Sequence, residues 1–521
     1  MFFYLVGPLR RRIHLRFGLV FRALFALIRV HSRLPYFAVR ARGYSLTQLA
    51  SRLETHPMSS GALQATFLHN PAILALIGNT PLIECTRFDT GPCRLFIKLE
   101  NQNPTGSIKD RMALAMVEAA ERAGHLKPGG TLIEATAGNT GLSLALVAAA
   151  KGYRLILVIP DKMSQEKILH IRALGATTVI TRSDVTKGHP EYYQDLAASI
   201  AAETPDGFYV NQFENPTNPQ AHEETTGPEI WEQMEHDVDA IIVGVGSGGT
   251  LTGLSHYFAR VAPACEIVLA DPEGSILSGF VKEKRIGPSG SWIVEGIGED
   301  FVPAVADLSR VRQAYSICDE ESLLTARDLL HKEGVFAGSS TGTLFAAALR
   351  YCREQTEPKR VVTLACDSGN KYLSKMYNDI WMADQGFIHR ESFDDLRDLV
   401  SRRFQDGTIV SVGPQDSLLT AFKRMRISDV SQVPVLDHGK LVGILDESDV
   451  LTRIQDGDGS FRDEVQTAMT DRIVTLPPSA SFQELRQILD NGRVAIVVDQ
   501  GHFVGLVTRI DLLNYLRRKV A

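Results

Sequence analysis

The chain is 521 residues long, with 44% hydrophobic and 22% charged residues and a formal net charge of -6. That length exceeds one ordinary core, and the composition is globular rather than disordered or fibrous. The slight acidity carries no electrostatic footprint for nucleic acid. Cys85, Cys93, Cys265, Cys318, Cys352 and Cys366 are scattered without a Cys-x-x-Cys pair. Neither a disulfide framework nor a metal site is expected, and a reducing, cytoplasmic setting is.

Residues 1–57 differ from the rest: Arg10, Arg11, Arg12, Arg16, Arg22 and Arg29 lead a basic series with no acid before Glu54. The apolar stretch 23–28 falls far short of the ~20 residues that span a bilayer, so no transmembrane segment is expected. An organelle-targeting peptide, an amphipathic segment on a membrane surface and sequence upstream of a true start at Met58 all fit this basic extension. We expect the working protein to start at Met58.

Further along, Asn101-Gln102-Asn103-Pro104-Thr105-Gly106-Ser107-Ile108-Lys109-Asp110 puts a lysine after a turn-rich run. A lone lysine there reads as a solvated helix start. Next comes the apolar run Thr131-Leu132-Ile133, the turn Thr136-Ala137-Gly138-Asn139-Thr140-Gly141 and a Leu/Ala-rich helix over 142–150. The pattern repeats: a strand over 240–245, the loop Gly246-Ser247-Gly248-Gly249-Thr250 and a helix beginning near Leu251. Glycines let backbone N–H groups approach an anion closely, and Ser247 and Thr250 add hydroxyls at the positive end of a helix. Singly, such a loop is often mere structural punctuation.

A third glycine turn, Gly338-Ser339-Ser340-Thr341-Gly342, precedes a connector over 384–403 that is charged at Glu391-Ser392-Phe393-Asp394-Asp395. An internal repeat follows, in which 433–451 superimposes without gaps on 495–513 and Gly439, Gly443 and Asp449 fall opposite Gly501, Gly505 and Asp511. Each copy reads as strand, turn, strand and helix. Neither is long enough to stand comfortably alone, so the copies over 404–458 and 463–521 are expected to pack as a pair.

Taken together and in this order, Lys109, the asparagine turn, the Gly-rich loop and the Ser340 turn resemble the fold-type II, tryptophan-synthase-β-like pyridoxal phosphate enzymes. Within them the chain is similar to the cysteine synthase/cystathionine β-synthase family over 70–383, also at Lys98-Leu99-Glu100-Asn101, Met163-Ser164-Gln165-Glu166-Lys167, Asn211-Gln212-Phe213 and Val294-Glu295-Gly296-Ile297-Gly298. The resemblance implies a two-lobed α/β catalytic domain followed by a smaller α+β pair of CBS domains. It implies that Lys109 binds the cofactor's aldehyde and serves as general base, that Asn139 meets the ring hydroxyl, and that Gly246, Ser247, Gly248, Gly249 and Thr250 hold the phosphate. Ser340 would face the ring nitrogen, where a neutral hydroxyl suits β-replacement better than transamination. Thr136, Thr140 and Gln212 match positions that bind the substrate carboxylate. Ala137, where relatives commonly carry serine, and Glu299, where several carry tyrosine, depart from the pattern near the substrate.

The activity so implied is condensation of L-serine with L-homocysteine to cystathionine. The alternatives are cysteine synthesis from O-acetylserine and sulfide, and a catalytically dead nucleotide sensor. Some relatives carry haem on an N-terminal Cys and His; no cysteine precedes Cys85, so no haem is expected. CBS domains in many proteins bind adenosyl ligands, and Thr508 and Asp511 keep the ribose-binding motif in the second copy, whereas Asp446 replaces the hydroxyl residue in the first. S-adenosylmethionine or an adenine nucleotide is the expected ligand, and a module that only stabilises or oligomerises the chain is the alternative. Relatives form dimers or larger homo-oligomers, so at least a dimer is expected.

Overall fold

The structure, a computed structural model, describes residues 72–136, 138–161, 165–185, 188–455 and 457–520. The expectations for 1–57, for Ala137 and for part of the Met-Ser run at 162–164 lie outside the described residues.

The catalytic half contains strands β1 (Leu82–Cys85), β2 (Arg94–Lys98), β3 (Thr131–Ala135), β4 (Arg154–Pro160), β5 (Thr177–Thr181), β6 (Gly207–Tyr209), β7 (Ala240–Val243), β8 (Glu266–Pro272), β9 (Val311–Ile317) and β10 (Arg360–Leu364). They form two sheets, ordered β1-β2-β10-β7-β8-β9 and β5-β4-β3-β6. Every pairing is parallel except that of the edge strand β1 with β2. Every residue of β3 and of β7 is buried, as expected when helices cover both faces of a parallel sheet and the strand must be apolar throughout. Each sheet has its own core, one around Ile241, Leu269 and Phe345 and the other around Leu132, Leu144 and Leu157.

Helix α1 (Lys109–Arg122) leads from β2 of one sheet to β3 of the other, so Lys109 stands at the crossing between lobes. Helix α2 (Asn139–Lys151) follows β3, α3 (Gly249–Val261) follows β7, and α4 (Ser339–Arg353) precedes β10. The sequence places these elements correctly but trims them: α2 begins at Asn139 rather than 142, and α3 at Gly249 rather than near Leu251. The glycine turns themselves form the first helical turn, which propensity alone disfavours. Gly152, at φ 77, closes α2 in the left-handed conformation that glycine adopts without steric cost.

The C-terminal repeat forms matched hairpins, β11 (Gln432–Asp437) with β12 (Lys440–Asp446), and β14 (Ala495–Asp499) with β15 (His502–Val507) after the short β13 (Thr475–Leu476). The equivalence extends to detail. Both hairpins carry an irregularity at the same place, Val435/Leu436 and Val497/Val498. Both turn through two residues with positive φ, His438-Gly439 and Gln500-Gly501. Leu396, Leu399 and Val400, within the expected connector, are buried against Leu485, Leu489 and Val497 of the second copy. That part of the connector is therefore packed structure, placed there by its apolar residues. Among the described residues no helix is long and apolar enough to cross a membrane.

Candidate active site

The N-termini of α1, α2, α3 and α4 converge on one cleft of about 780 Å³. Four positive helix ends at one cavity make it a site for an anion-rich ligand. Its lining brings together Lys109, Thr136, Asn139, Thr140, Gln212, Gly246, Ser247, Gly248, Gly249, Thr250 and Ser340, residues spread over more than 200 positions of sequence. Thr508 and Asp511 lie apart from it, on the second CBS copy.

Lys109 is the first residue of α1. Burial holds its amine below the ordinary lysine range, although nearby Cys366, Asp367 and Glu299 favour its charge. A lysine so desolvated has more neutral amine at working pH, which nucleophile and base chemistry both need. Asn139 is fixed at both ends of its amide: Nδ2 donates to Asp367 Oδ2 at 2.8 Å, and Oδ1 accepts from Lys371 Nζ at 2.6 Å. Tyr372 also donates to Asp367 Oδ2, at 2.8 Å.

The loop after β7 approaches other backbone so closely that side chains are barred. A Cβ on Gly246 would stand 2.4 Å from the Gly296 carbonyl oxygen, and Gly248 has φ +92 with Ala306 2.6 Å from an added Cβ. Across the cleft, the Thr140 hydroxyl donates to Gln212 Oε1 at 2.8 Å, and the Gln212 N–H donates to Glu134 Oε2 at 3.3 Å. Burial pushes the Glu134 carboxyl up to about 8, against backbone N–H bonds that favour its anion. Ser340 is buried at the second residue of α4, a hydrogen-bond neighbour of the Cys366 thiol, which burial raises to about 12.

No sequence motif singles out Asp367, Lys371, Tyr372 or Glu134, and Lys167 and Glu295 stand out only as parts of the Met163–Lys167 and Val294–Gly298 runs. Glu295 accepts from Lys167 and, at 2.6 Å, from Lys375, and all three line the cleft. Their partners lie far away along the chain, 228 positions for Asn139 and Asp367. The one available signal was chemical: Asp367 and Lys371 are charged residues following the buried strand β10.

A glycine cradle at a helix N-terminus suits a phosphate, and a desolvated lysine in the same cleft suits an aldehyde. The cleft therefore fits pyridoxal phosphate. The fold and site define a pyridoxal-phosphate dependent enzyme, and the family model of that description matches residues 73–367. Models of the CBS domain match 396–456 and 463–518. Cystathionine beta-synthase of Dictyostelium discoideum is 34% identical over 461 residues, covering 86% of this chain and 92% of the relative. Cysteine synthase A of Escherichia coli is 42% identical over 302 residues, 57% of this chain and 92% of that one. Among solved structures, a hydrogen sulfide-producing enzyme from Fusobacterium nucleatum superimposes with a TM-score of 0.54 at 36% identity, covering 58% of this chain and 99% of that one. The chain belongs to the cystathionine beta-synthase family and is a pyridoxal-phosphate dependent lyase.

Proposed function

We propose that the enzyme condenses serine with homocysteine: the β-hydroxyl of serine leaves as water, the homocysteine sulfur bonds to the β-carbon, and cystathionine is the product. The observation that carries this reading is the extent of the likeness. Cystathionine beta-synthase relatives match through the CBS pair, over 86% of the chain, whereas cysteine synthase A matches only the catalytic part, 57%.

Pyridoxal phosphate, when bound, supplies an electron sink for the α-carbon of the amino acid. Lys109 would hold its aldehyde, Asn139 its ring hydroxyl, Ser340 its ring nitrogen, and Gly246 through Thr250 its phosphate. Thr136, Thr140 and Gln212 would orient the substrate carboxylate, the first two with hydroxyls at or near the start of α2. Lys109 Nζ would take the α-proton. The ammonium so formed is the proton donor for the departing hydroxide, a poor leaving group without one.

In the regulatory half, Thr508 and Asp511 would take the ribose of S-adenosylmethionine or an adenine nucleotide at the second copy. In the first copy Asp446 and Asp449 cap each other through backbone N–H bonds of 2.9 and 2.8 Å, which leaves two carboxylates where a ribose hydroxyl would come. The working form is a homodimer or larger, in a reducing compartment. The test is direct: protein supplied with pyridoxal phosphate, serine and homocysteine should yield cystathionine, identified by mass, and a mixture in which serine is untouched contradicts the reading.

A further inference from the structure

Between the helices Thr217–Ala221 and Gly227–Gln233 the chain makes a π-helical turn, His222–Thr226. Such turns are rare and collect at functional sites. This one carries His222 and Thr226, both completely buried, and Asn218 just before it is completely buried too. No substrate-facing role accounts for three buried polar side chains here. All three lead to the loop after β7.

Asn218 Nδ2 donates to the Gln212 carbonyl at 2.9 Å and to Ser247 Oγ at 2.9 Å. A carbonyl oxygen only accepts, so the amide cannot be turned round, and Ser247 Oγ must be an acceptor of this bond. The single Ser247 proton is left for the cleft. Asn218 Oδ1 finds no hydrogen-bond partner and lies against Gly249, where an added Cβ would stand 1.9 Å from it. His222 makes the matching bond to the other hydroxyl of the loop: Nδ1 is 2.9 Å from Thr226 Oγ1 and Nε2 is 3.2 Å from Thr250 Oγ1. Burial, with the positive charges of Lys109 and Arg111, keeps this imidazole neutral. A neutral ring has one N–H. When Thr226 donates into Nδ1, the proton is on Nε2 and is donated to Thr250, whose own proton is then also left for the cleft. The opposite tautomer would consume that proton, and a dianion in the loop disfavours it.

We propose that His222 and Asn218 are positioning residues that fix Thr250 and Ser247 as hydrogen-bond donors toward a phosphate group held by the Gly246–Thr250 loop. The inference rests on the reading of that loop as the cofactor-phosphate site and adds what orients it. Donors set in advance need no reorganisation when the anion arrives.

The test compares pyridoxal phosphate with pyridoxal, which lacks the phosphate, in titrations of the full-length apoenzyme. A hydrogen bond to a charged group corresponds to about tenfold to a hundredfold in affinity. T250V and H222N should each weaken pyridoxal phosphate by about that factor and leave pyridoxal unchanged. H222Q, whose amide nitrogen can occupy the place of Nε2, should stay within about threefold of the parent, where H222N, whose amide reaches only the place of Nδ1, does not. The double variant T250V/H222N should be no weaker than T250V alone, and the phosphorus-31 resonance of the loaded protein should move in H222N and not in H222Q. Should H222N fail to fold, T226V carries the same comparison, because it removes the donor that sets the tautomer. If T250V weakens pyridoxal phosphate and neither H222N nor T226V does, or if these weaken pyridoxal equally, the positioning role is overturned. If T250V itself has no effect, the phosphate reading of the loop falls and this inference with it.

Discussion

Lys109 and Glu134 show how burial sets the chemistry of single groups in opposite senses. For the lysine, burial removes charge: its amine titrates below the usual range, so the acidic limb of the activity profile should lie below that of a free lysine. Lys109→Ala should abolish turnover together with the long-wavelength absorption of the bound cofactor, and retention of either in the purified variant contradicts its role. For Glu134, burial keeps the proton on. Its folded value of about 8 stands above the 4.5 of an exposed glutamate, so the stability it contributes is complete below about 4.5 and is lost as pH rises through about 8. Denaturant titrations between pH 5 and 8.5 should show the parent losing stability with rising pH, and Glu134→Gln should lack that slope. Lys109 was legible because a motif surrounds it. Glu134, fully buried in β3, reads as one polar letter in a strand, and only the partner N–H of Gln212, 78 positions on, reveals its work.

At the scale of elements, the helices after the glycine turns were legible but their starts were not, since the helices begin at Asn139 and Gly249, inside the turns whose N–H groups face an anion. The buried ionic bracket that ties the lobes was not. Arg111 of α1 bonds Glu100 and, at 2.7 Å, Glu229, which also meets Lys98 at 2.7 Å. Burial alone would raise the Glu229 carboxyl, but Arg111 and Lys98 overcome it and hold the value at about 2. Its stabilising contribution is therefore present above about 4.5 and lost as the pH falls toward 2. Arg111→Met leaves two carboxylates without their shared cation and should destabilise the protein by about 3–5 kcal/mol in thermal or denaturant unfolding; a change within experimental scatter would show the bracket to be dispensable. No local pattern announces such a bracket, since its members come from β2, the 3-10 turn Glu100–Gln102, α1 and the helix Gly227–Gln233.

For the whole molecule, the repeat in the sequence foretold two equivalent hairpins, whereas the irregularity they share was not legible in it. It did not reveal where the connector goes. From Asn70 onward the chain forms one compact unit, and the final helix, Arg509–Val520, meets the helix Asp379–Gln385, which runs from the end of the catalytic part into the connector, through Arg517, which donates to the Asp384 carbonyl at 3.1 Å and to Gln385 Oε1 at 3.2 Å. Asp511 is engaged as well: Ser401 of the connector donates to Oδ1 at 2.5 Å, and Thr508 donates to Oδ2 at 2.5 Å. A ribose taking that carboxylate would share it with Ser401 and Thr508. Calorimetric titration of the full-length chain should therefore show S-adenosylmethionine binding that Asp511→Ala abolishes and Asp449→Ala does not, whereas equal loss in both variants would contradict a site at the second copy.

The choice of substrates is tested by kcat/KM for the two substrate pairs on the same cofactor-loaded preparation, with products identified by mass. Serine with homocysteine should give cystathionine with the higher kcat/KM. Efficient cysteine formation from O-acetylserine and sulfide, with serine left unconsumed in the presence of homocysteine, would contradict it.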